Sequence, residues 1–141
     1  MTAIPGLARF TVAYWCVLVA ALLPLVCAGL AKCGGFGRPV REGGYDNAHP
    51  RAWLARQTGW AARANAAQAN GFEGLPLFIG AVLIAHQLGA PQGALDLLAF
   101  FYVVLRIAYI MMYVGDLPTA RSMVWALAFL ANLGILFVGY R

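Results

Sequence analysis

Two sets of polar side chains lie inside otherwise apolar segments of the sequence, and these residues are the best candidates for chemistry. The sets are Arg63, Asn70 and Glu73 in one segment, and Arg106, Tyr109 and Tyr113 in the next. Spacings of three, four and seven residues place the members of each set on one helical face. An ionised residue at the centre of a bilayer costs about 2.5–3.5 kcal/mol, so it must face protein, a partner or water. We therefore expect Glu73 and Arg106 to meet in a polar cavity that opens to the cytosol.

The chemistry of these residues favours an anionic guest that also carries an amine. Arginine binds carboxylates through paired N–H groups, and a glutamate binds an amine. Arg121 and Ser122 begin the next apolar segment on the same side, where free backbone N–H groups also favour an anion. A purely structural alternative fits equally well. In it, Glu73 and Arg106 form an ion pair that locks two helices, and the tyrosines are interfacial anchors.

No metal centre or nucleophilic triad is predicted. The cysteines Cys16, Cys27 and Cys33 lack metal-ligand spacing, and His49 has no second ligand at a useful distance along the chain. His86 is expected at the level of the lipid headgroups. The basic residues behind the net charge of +5 form no compact run, so membrane topology explains the charge better than nucleic acid does.

The composition indicates how these residues are positioned. Of 141 residues, 62% are hydrophobic and 11% charged, whereas a soluble domain carries roughly 25% charged residues. Apolar segments long enough to cross a bilayer are predicted at about residues 10–31, 60–88, 93–114 and 119–140. Short turns join the later segments, which makes them antiparallel neighbours. The sequence therefore predicts one all-α domain over residues 1–141, an up-down four-helix bundle in the membrane.

The basic residues also predict the orientation. Those in and around the loop between the first two spans are Lys32, Arg38, Arg41, Arg51, Arg56 and Arg63. The turn at 87–93 has no basic residue, whereas Arg121 follows the turn at 115–118. The positive-inside rule then places the loop 32–59 in the cytoplasm and both termini on the other side of the cell inner membrane. The loop itself is expected to be ordered or partly ordered.

The string RANAAQANGFEGLPLF, from Arg63 to Phe78, resembles the second-helix motif of the MAPEG superfamily. That family comprises membrane-associated proteins in eicosanoid and glutathione metabolism. Its motif runs Arg, two residues, Arg, Ala, His or Gln, one residue, Asn, two residues, Glu, then Pro. The segments 106–113 and 118–122 resemble the third- and fourth-helix signatures of the family. The resemblance spans about residues 46–141 and indicates a prokaryotic member.

This resemblance implies a homotrimer that binds glutathione, as a co-substrate, between adjacent subunits near the cytoplasmic face. It gives Arg121 the catalytic role of stabilising the glutathione thiolate, without a metal. A free thiol has a pKa of about 8.5, and a neighbouring cation lowers it. The glutathione-binding residues that the resemblance implies are Arg63, Asn70, Glu73, Arg106, Tyr109, Tyr113, Ser122 and Lys32.

One departure from the family motif leaves two functions open. The second motif arginine falls on Ala66, so a charge-assisted contact of about 1.5–3 kcal/mol to glutathione is missing. The leading hypothesis is a glutathione transferase or peroxidase that acts on a lipophilic electrophile or hydroperoxide from the bilayer. The alternative is a non-catalytic membrane subunit or lipid-binding protein on the same scaffold. The sequence does not decide whether the protein is an enzyme.

Overall fold

The computed structural model describes residues 10–140, which form helices and no strand. The long helices are α1 (Val12–Cys33), α3 (Gly59–Gln87), α4 (Gln92–Val114) and α5 (Pro118–Phe137). The loop between α1 and α3 contains a 3₁₀ turn (Val40–Glu42) and the short helix α2 (Pro50–Ala55).

All four long helices are long and apolar enough to cross a membrane, so the chain is a multi-pass membrane protein. The prediction of an all-helical protein with four membrane helices is confirmed over the described residues. The last helix ends at Phe137 rather than near residue 140, and Gly139 beyond it lies against Leu88 in the turn that follows α3. The predicted placement of both termini concerns residues 1–9 and 141, which lie outside the described residues.

Contacts at the two ends of the bundle fix how the helices run. At one end, Tyr14 near the start of α1 packs edge-to-face on His86 near the end of α3, with 4.8 Å between ring centroids. At the other end, Arg63 Nε near the start of α3 donates to the Val114 carbonyl at the end of α4, at 3.0 Å. We call the first end the far end. The second, from which the α1–α3 loop emerges, is the loop end.

Small residues line the seams between the helices and allow a close approach of their backbones. The fully or almost fully buried alanines are Ala13, Ala31, Ala64, Ala67, Ala81, Ala85, Ala99 and Ala128. At the α1–α3 seam, a Cβ on Gly71 would lie 2.8 Å from Cγ of Pro24, so only glycine fits there. The stacked rings of Phe78 and Tyr102, 4.1 Å apart, fill the space between α3 and α4.

The α1–α3 loop is ordered around a buried tryptophan. Trp53 is 4% exposed, and its indole Nε1–H donates to the Gly43 carbonyl at 3.2 Å. Tyr45 packs edge-on against the indole ring, with 5.3 Å between centroids. A Cβ on Gly35 would collide with that ring, so the chain needs glycine to pass over it. The loop therefore has a small core of its own.

Asp46 stabilises the start of α2. Its Oδ1 accepts the N–H groups of Ala48 at 2.9 Å and His49 at 3.2 Å, and its Oδ2 lies 3.2 Å from His49 Nδ1. Desolvation raises the pKa of Asp46, but these hydrogen bonds outweigh it and leave the pKa below its ordinary value. His49 therefore has a local partner in the turn.

Candidate functional site

Arg106, on α4, lies at the centre of the candidate site. It is 5% exposed, and its Nη2 donates to Oδ1 of Asn70 on α3 at 2.9 Å. Its guanidinium carbon lies over the ring of Tyr109, 4.4 Å from the centroid, a cation–π arrangement. No carboxylate among residues 10–140 forms an ion pair with it. Most of its N–H donors are therefore available to a ligand or to water.

Glu73 does not meet Arg106 within the chain. It lies exposed on the surface of α3, and no basic group in the described part of the chain forms an ion pair with it. The cause is helical geometry, since Glu73 is three residues after Asn70 and so about 60° round the helix from it. Asn70 occupies the seam with α4, and Glu73 falls outside it. The predicted shared cavity, and the alternative Glu73–Arg106 ion pair, are both wrong for a single chain.

Two arginines bracket a pair of tyrosine rings at the loop end. The rings of Tyr109 and Tyr113 lie 5.5 Å apart, edge to face. Arg106 covers the first ring, and the guanidinium carbon of Arg121, in the first turns of α5, lies 4.3 Å from the centroid of the second. We call Arg106, Tyr109, Tyr113 and Arg121 the cation–tyrosine row. Over residues 10–140, neither arginine of the row has a carboxylate partner.

Arg63 and Ser122 use their polar groups locally. Besides its bond to Val114, Arg63 places Nη1 at 3.7 Å from Oδ2 of Asp116, in the turn between α4 and α5. Asp116 is 71% exposed, so solvent screens this pair. The Ser122 hydroxyl donates to the Pro118 carbonyl in its own helix, at 3.0 Å. Arg63 thus ties α3 to the α4–α5 turn, and that turn leads into Arg121.

Lys32, at the end of α1, has its contact in the loop. Its Nζ lies over the ring of Tyr45, 5.0 Å from the centroid. The folding of the loop around its buried indole brings Tyr45 to this position. The structure therefore associates Lys32 with the loop core and not with the cation–tyrosine row.

An open depression at the start of α5 offers space for a ligand. Its volume is about 570 Å³, and its lining includes Pro118, Arg121, Ser122 and Met123. Small-molecule sites commonly measure about 300–1,000 Å³. One arginine of the cation–tyrosine row thus also borders a surface large enough for a peptide-sized guest.

A family model described as the MAPEG family matches residues 12–140. The chain belongs to the MAPEG family. This confirms the resemblance seen in the α3, α4 and α5 motifs and makes the chain a membrane protein of a glutathione- and eicosanoid-related family. No curated protein and no solved structure matches the chain.

The sequence analysis assigned no role to two side-chain amides of this MAPEG chain, Asn132 and Gln68. Asn132 on α5 is 3% exposed. Its Oδ1 and the Oε1 of Gln68 on α3 are buried without a hydrogen-bond partner in the described structure. Buried polar atoms are almost always hydrogen-bonded, so these two oxygens stand out among the described residues. The signal for Asn132 was present in the sequence, because an amide inside an apolar span is unusual.

Proposed function

We propose that this MAPEG protein binds glutathione at the loop end and activates its thiol for attack on a lipophilic electrophile or hydroperoxide. The observation that carries the proposal is the cation–tyrosine row, whose two arginines have no carboxylate partner among the described residues. Uncompensated cations are costly in a membrane protein. Glutathione supplies two carboxylates that pair with guanidinium groups.

In this mechanism Arg121 is the catalytic residue. Its positive charge stabilises the thiolate relative to the thiol and so raises the nucleophilic fraction at neutral pH. With an aryl halide, sulfur bonds to the ring carbon, halide leaves with the bonding electron pair, and the thiol proton goes to water. With a hydroperoxide, the thiolate sulfur bonds to the terminal oxygen, the O–O bond breaks, and the alkoxide takes up the proton that the thiol lost and leaves as an alcohol. A second glutathione then displaces water from the resulting sulfenic acid and forms the disulfide.

The other residues orient the tripeptide. Arg106 and Asn70 already form one hydrogen bond and together present an N–H surface toward a carboxylate. The hydroxyl groups of Tyr109 and Tyr113 donate to the peptide or the sulfur. We place Arg63, Ser122 and Lys32 at the edge of the site. Ser122 reaches the sulfur only if its hydroxyl turns away from the Pro118 carbonyl, its present partner.

Glu73 supports a homotrimer with the site between subunits. An exposed carboxylate on a membrane-spanning helix would face lipid in a monomer, at a cost of about 2.5–3.5 kcal/mol. Burial of this face against a second copy removes that contact, and the glutathione amine then neutralises the charge.

We place the loop end in the cytoplasm, with the protein in the inner membrane. The loop arginines Arg38, Arg41, Arg51 and Arg56 are exposed, and basic loops remain on the cytoplasmic side. The cytoplasm then supplies glutathione, and the bilayer supplies the apolar acceptor.

One observation favours a non-catalytic, lipid-binding or complex-forming protein instead. Ala66 replaces the second motif arginine, and Arg63 cannot substitute for it while it holds the Val114 carbonyl and Asp116. This alternative predicts co-purification with a lipid or a larger complex, without thiol chemistry.

The test uses purified protein in detergent, with glutathione affinity from calorimetry and turnover from a chromogenic aryl chloride. Arg121→Ala should lower kcat/KM by roughly 100-fold, as expected for loss of one charge-stabilising group, and Arg121→Lys should retain part of the activity. Arg41→Ala removes the same charge from an 86% exposed side chain and serves as the matched control. Wild-type protein that neither binds glutathione nor reacts would refute the proposal, as would an unchanged Arg121→Ala. Binding without turnover would favour the alternative.

A further inference from the structure

Residues 35–45 form a closed loop beyond the end of α1, and we call it the 35–45 loop. The Tyr45 N–H donates to the Gly35 carbonyl at 2.9 Å and joins the two ends of the loop. Within it, the Gly44 N–H donates to the Pro39 carbonyl at 3.0 Å. The base of the loop also packs on the buried indole of the loop core. Backbone closure and packing therefore give this segment the fixed shape of an Ω-loop, a kind of surface loop that is frequently functional.

The 35–45 loop holds two apolar side chains outward. Phe36 packs edge-on against Tyr45, with 5.6 Å between ring centroids, and still remains 58% exposed. Val40, in the 3₁₀ turn, is also 58% exposed. Because backbone hydrogen bonds fix the shape of the loop, both side chains stay outside the loop core. Exposed apolar groups held in this way mark a surface that contacts a partner or a membrane.

Two arginines accompany these apolar side chains. Arg38 lies between Phe36 and Val40 along the chain, is exposed, and forms no ion pair among residues 10–140. The Arg41 side chain is 86% exposed, and its Nε lies 3.8 Å from Oε1 of the exposed Glu42, so solvent screens this pair. Guanidinium groups bind phosphate oxygens through paired N–H groups. The loop thus combines apolar side chains with phosphate-binding groups, as segments that lie on a membrane surface do.

The position of the loop relative to the helices places it at the level of the lipid headgroups. Phe36 follows Cys33, the last residue of α1, by three positions, which keeps it within about 11 Å of the helix end. Trp60, in the first turn of α3, is 43% exposed, and a Cβ on Gly34 would lie 4.0 Å from its Cζ2. Tryptophan is enriched at the membrane–water interface. The base of the loop therefore lies beside an aromatic residue of interfacial type.

The charge of the whole connection between α1 and α3 favours an anionic surface. Residues 34–58 carry four arginines, one glutamate and one aspartate, which gives a net charge of +2. The aspartate, Asp46, accepts the N–H groups of Ala48 and His49 and so has its partners within the connection. Anionic phospholipids give a membrane surface a negative potential that attracts basic segments. Such lipids also offer acyl chains to the apolar side chains, which a soluble acidic protein at this level does not.

We propose that the 35–45 loop binds anionic phospholipid headgroups of the surrounding bilayer. Arg38 and Arg41 bind the phosphate oxygens, while Phe36 and Val40 enter the boundary between headgroups and acyl chains. The protein thereby enriches anionic lipid beside its loop end. This interaction uses no residue of the cation–tyrosine row, so a failure of glutathione binding leaves it standing.

The first test is native mass spectrometry of detergent-purified protein with phosphatidylglycerol or phosphatidylcholine of the same acyl chains. Wild-type protein should bind phosphatidylglycerol at least tenfold more tightly. Arg38→Gln should weaken phosphatidylglycerol binding about fivefold, as expected for one arginine near an anionic lipid surface. Arg51→Gln removes the same charge from an exposed position of α2 and is the matched control. Arg51 lies about 200° round α2 from Trp53, on the side away from the loop core, so its loss should change the affinity less than twofold.

A second measurement determines the depth of the loop in vesicles of phosphatidylcholine and phosphatidylglycerol. A nitroxide label is attached to Val40→Cys or, as the control, to the exposed Ala48→Cys, each combined with Cys33→Ser because Cys33 is an exposed thiol. The label at position 40 should be relaxed more by oxygen than by a water-soluble nickel complex, and the label at position 48 should show the reverse.

Three results would each overturn this proposal. The first is equal affinity of the wild-type protein for the two lipids. The second is an equal loss of phosphatidylglycerol binding in Arg38→Gln and Arg51→Gln, which would make net charge rather than the 35–45 loop responsible. The third is a label at position 40 that the nickel complex reaches more readily than oxygen does, which would indicate a soluble partner for the loop.

Discussion

Asp96 at the far end of the bundle and the arginines of the cation–tyrosine row differ in whether the chain itself supplies their partners. At the far end, Oδ1 of Asp96 accepts the Ala13 N–H at 2.8 Å and the Gln92 side-chain amide at 2.7 Å, so this oxygen has two donors from the chain itself. At the loop end, Arg106 and Arg121 lie on tyrosine rings and lack a carboxylate within residues 10–140. Asp96 thus has its partners within the chain, whereas Arg106 and Arg121 lack a carboxylate at the place where a ligand is expected.

The far end shows what a purely structural charge looks like in this fold. Asp96, on α4, places a negative charge at the N-terminus of α1, where the helix dipole stabilises it. The Thr11 hydroxyl accepts the Tyr14 N–H at 3.4 Å and caps the same helix end. In the cation–tyrosine row, by contrast, the hydrogen bond from Arg106 to the neutral Asn70 amide leaves the positive charge without a carboxylate among the described residues.

The largest effect expected from this contrast is on ligand binding at the loop end. Arg106→Met keeps the length and apolar stem of the side chain but removes every N–H donor, and it should weaken glutathione binding by roughly 100-fold. Its melting temperature without glutathione should change little, because loss of an uncompensated buried cation also removes a desolvation cost. Calorimetry and scanning fluorimetry measure the two quantities. A folded variant with a clearly lower melting temperature and unchanged glutathione affinity would show that Arg106 has a structural role instead.

The next largest effect is expected at the far end, on the free energy of unfolding and not on glutathione binding. Asp96→Ala leaves the Ala13 N–H and the Gln92 amide without their acceptor and should lower the free energy of unfolding by about 2 kcal/mol. Asp96→Asn keeps one acceptor oxygen and should lose less. Denaturant titration measures the loss, and glutathione affinity should remain at its wild-type value. Weaker glutathione binding in the folded variant would show that the far end also contributes to binding, which contradicts this comparison.

A smaller effect on glutathione affinity is expected when a positive charge is added at the loop end. Ala66→Arg restores the missing motif arginine at a half-buried position of α3 and should tighten glutathione binding about tenfold. Ala69→Arg adds the same charge at an exposed position of that helix and should have little effect. Calorimetry on both variants provides the comparison. Equal gains in affinity would mean that net charge, rather than position, controls binding.

The sequence predicts the elements of this fold better than their rotation about one another. The four spans follow from apolar length alone. The spacing of polar residues within α3 and within α4 predicted a polar face on each helix, and these faces meet at Asn70 and Arg106. The same spacing could not separate Asn70 from Glu73, since a difference of about 60° round α3 decides which of them enters the seam. The contact between Arg106 and Asn70 on α3 is therefore a property of packing.

Two other residues show the same limit. Asn132 reaches the neighbourhood of Arg106 because α5 packs closely on α4 through small residues such as Ala128 and Ala131, and no local pattern encodes that register. Lys32 lies on Tyr45 because the loop folds round Trp53. The sequence predicted an ordered or partly ordered loop but not this core. Local patterns predicted the membrane helices, while long-range contacts decided which polar groups share a cavity.

The glycine at position 71 constrains any attempt to engineer this protein. It follows Asn70 directly, and the rigid pyrrolidine ring of Pro24 occupies the space that a larger side chain would need. A substitution there would force α1 and α3 apart, and the adjacent Asn70 on α3 would shift relative to Arg106, its guanidinium partner. Variant libraries that aim at new ligand preferences should therefore randomise the lining of the open depression at the start of α5 and leave residues 24 and 71 untouched.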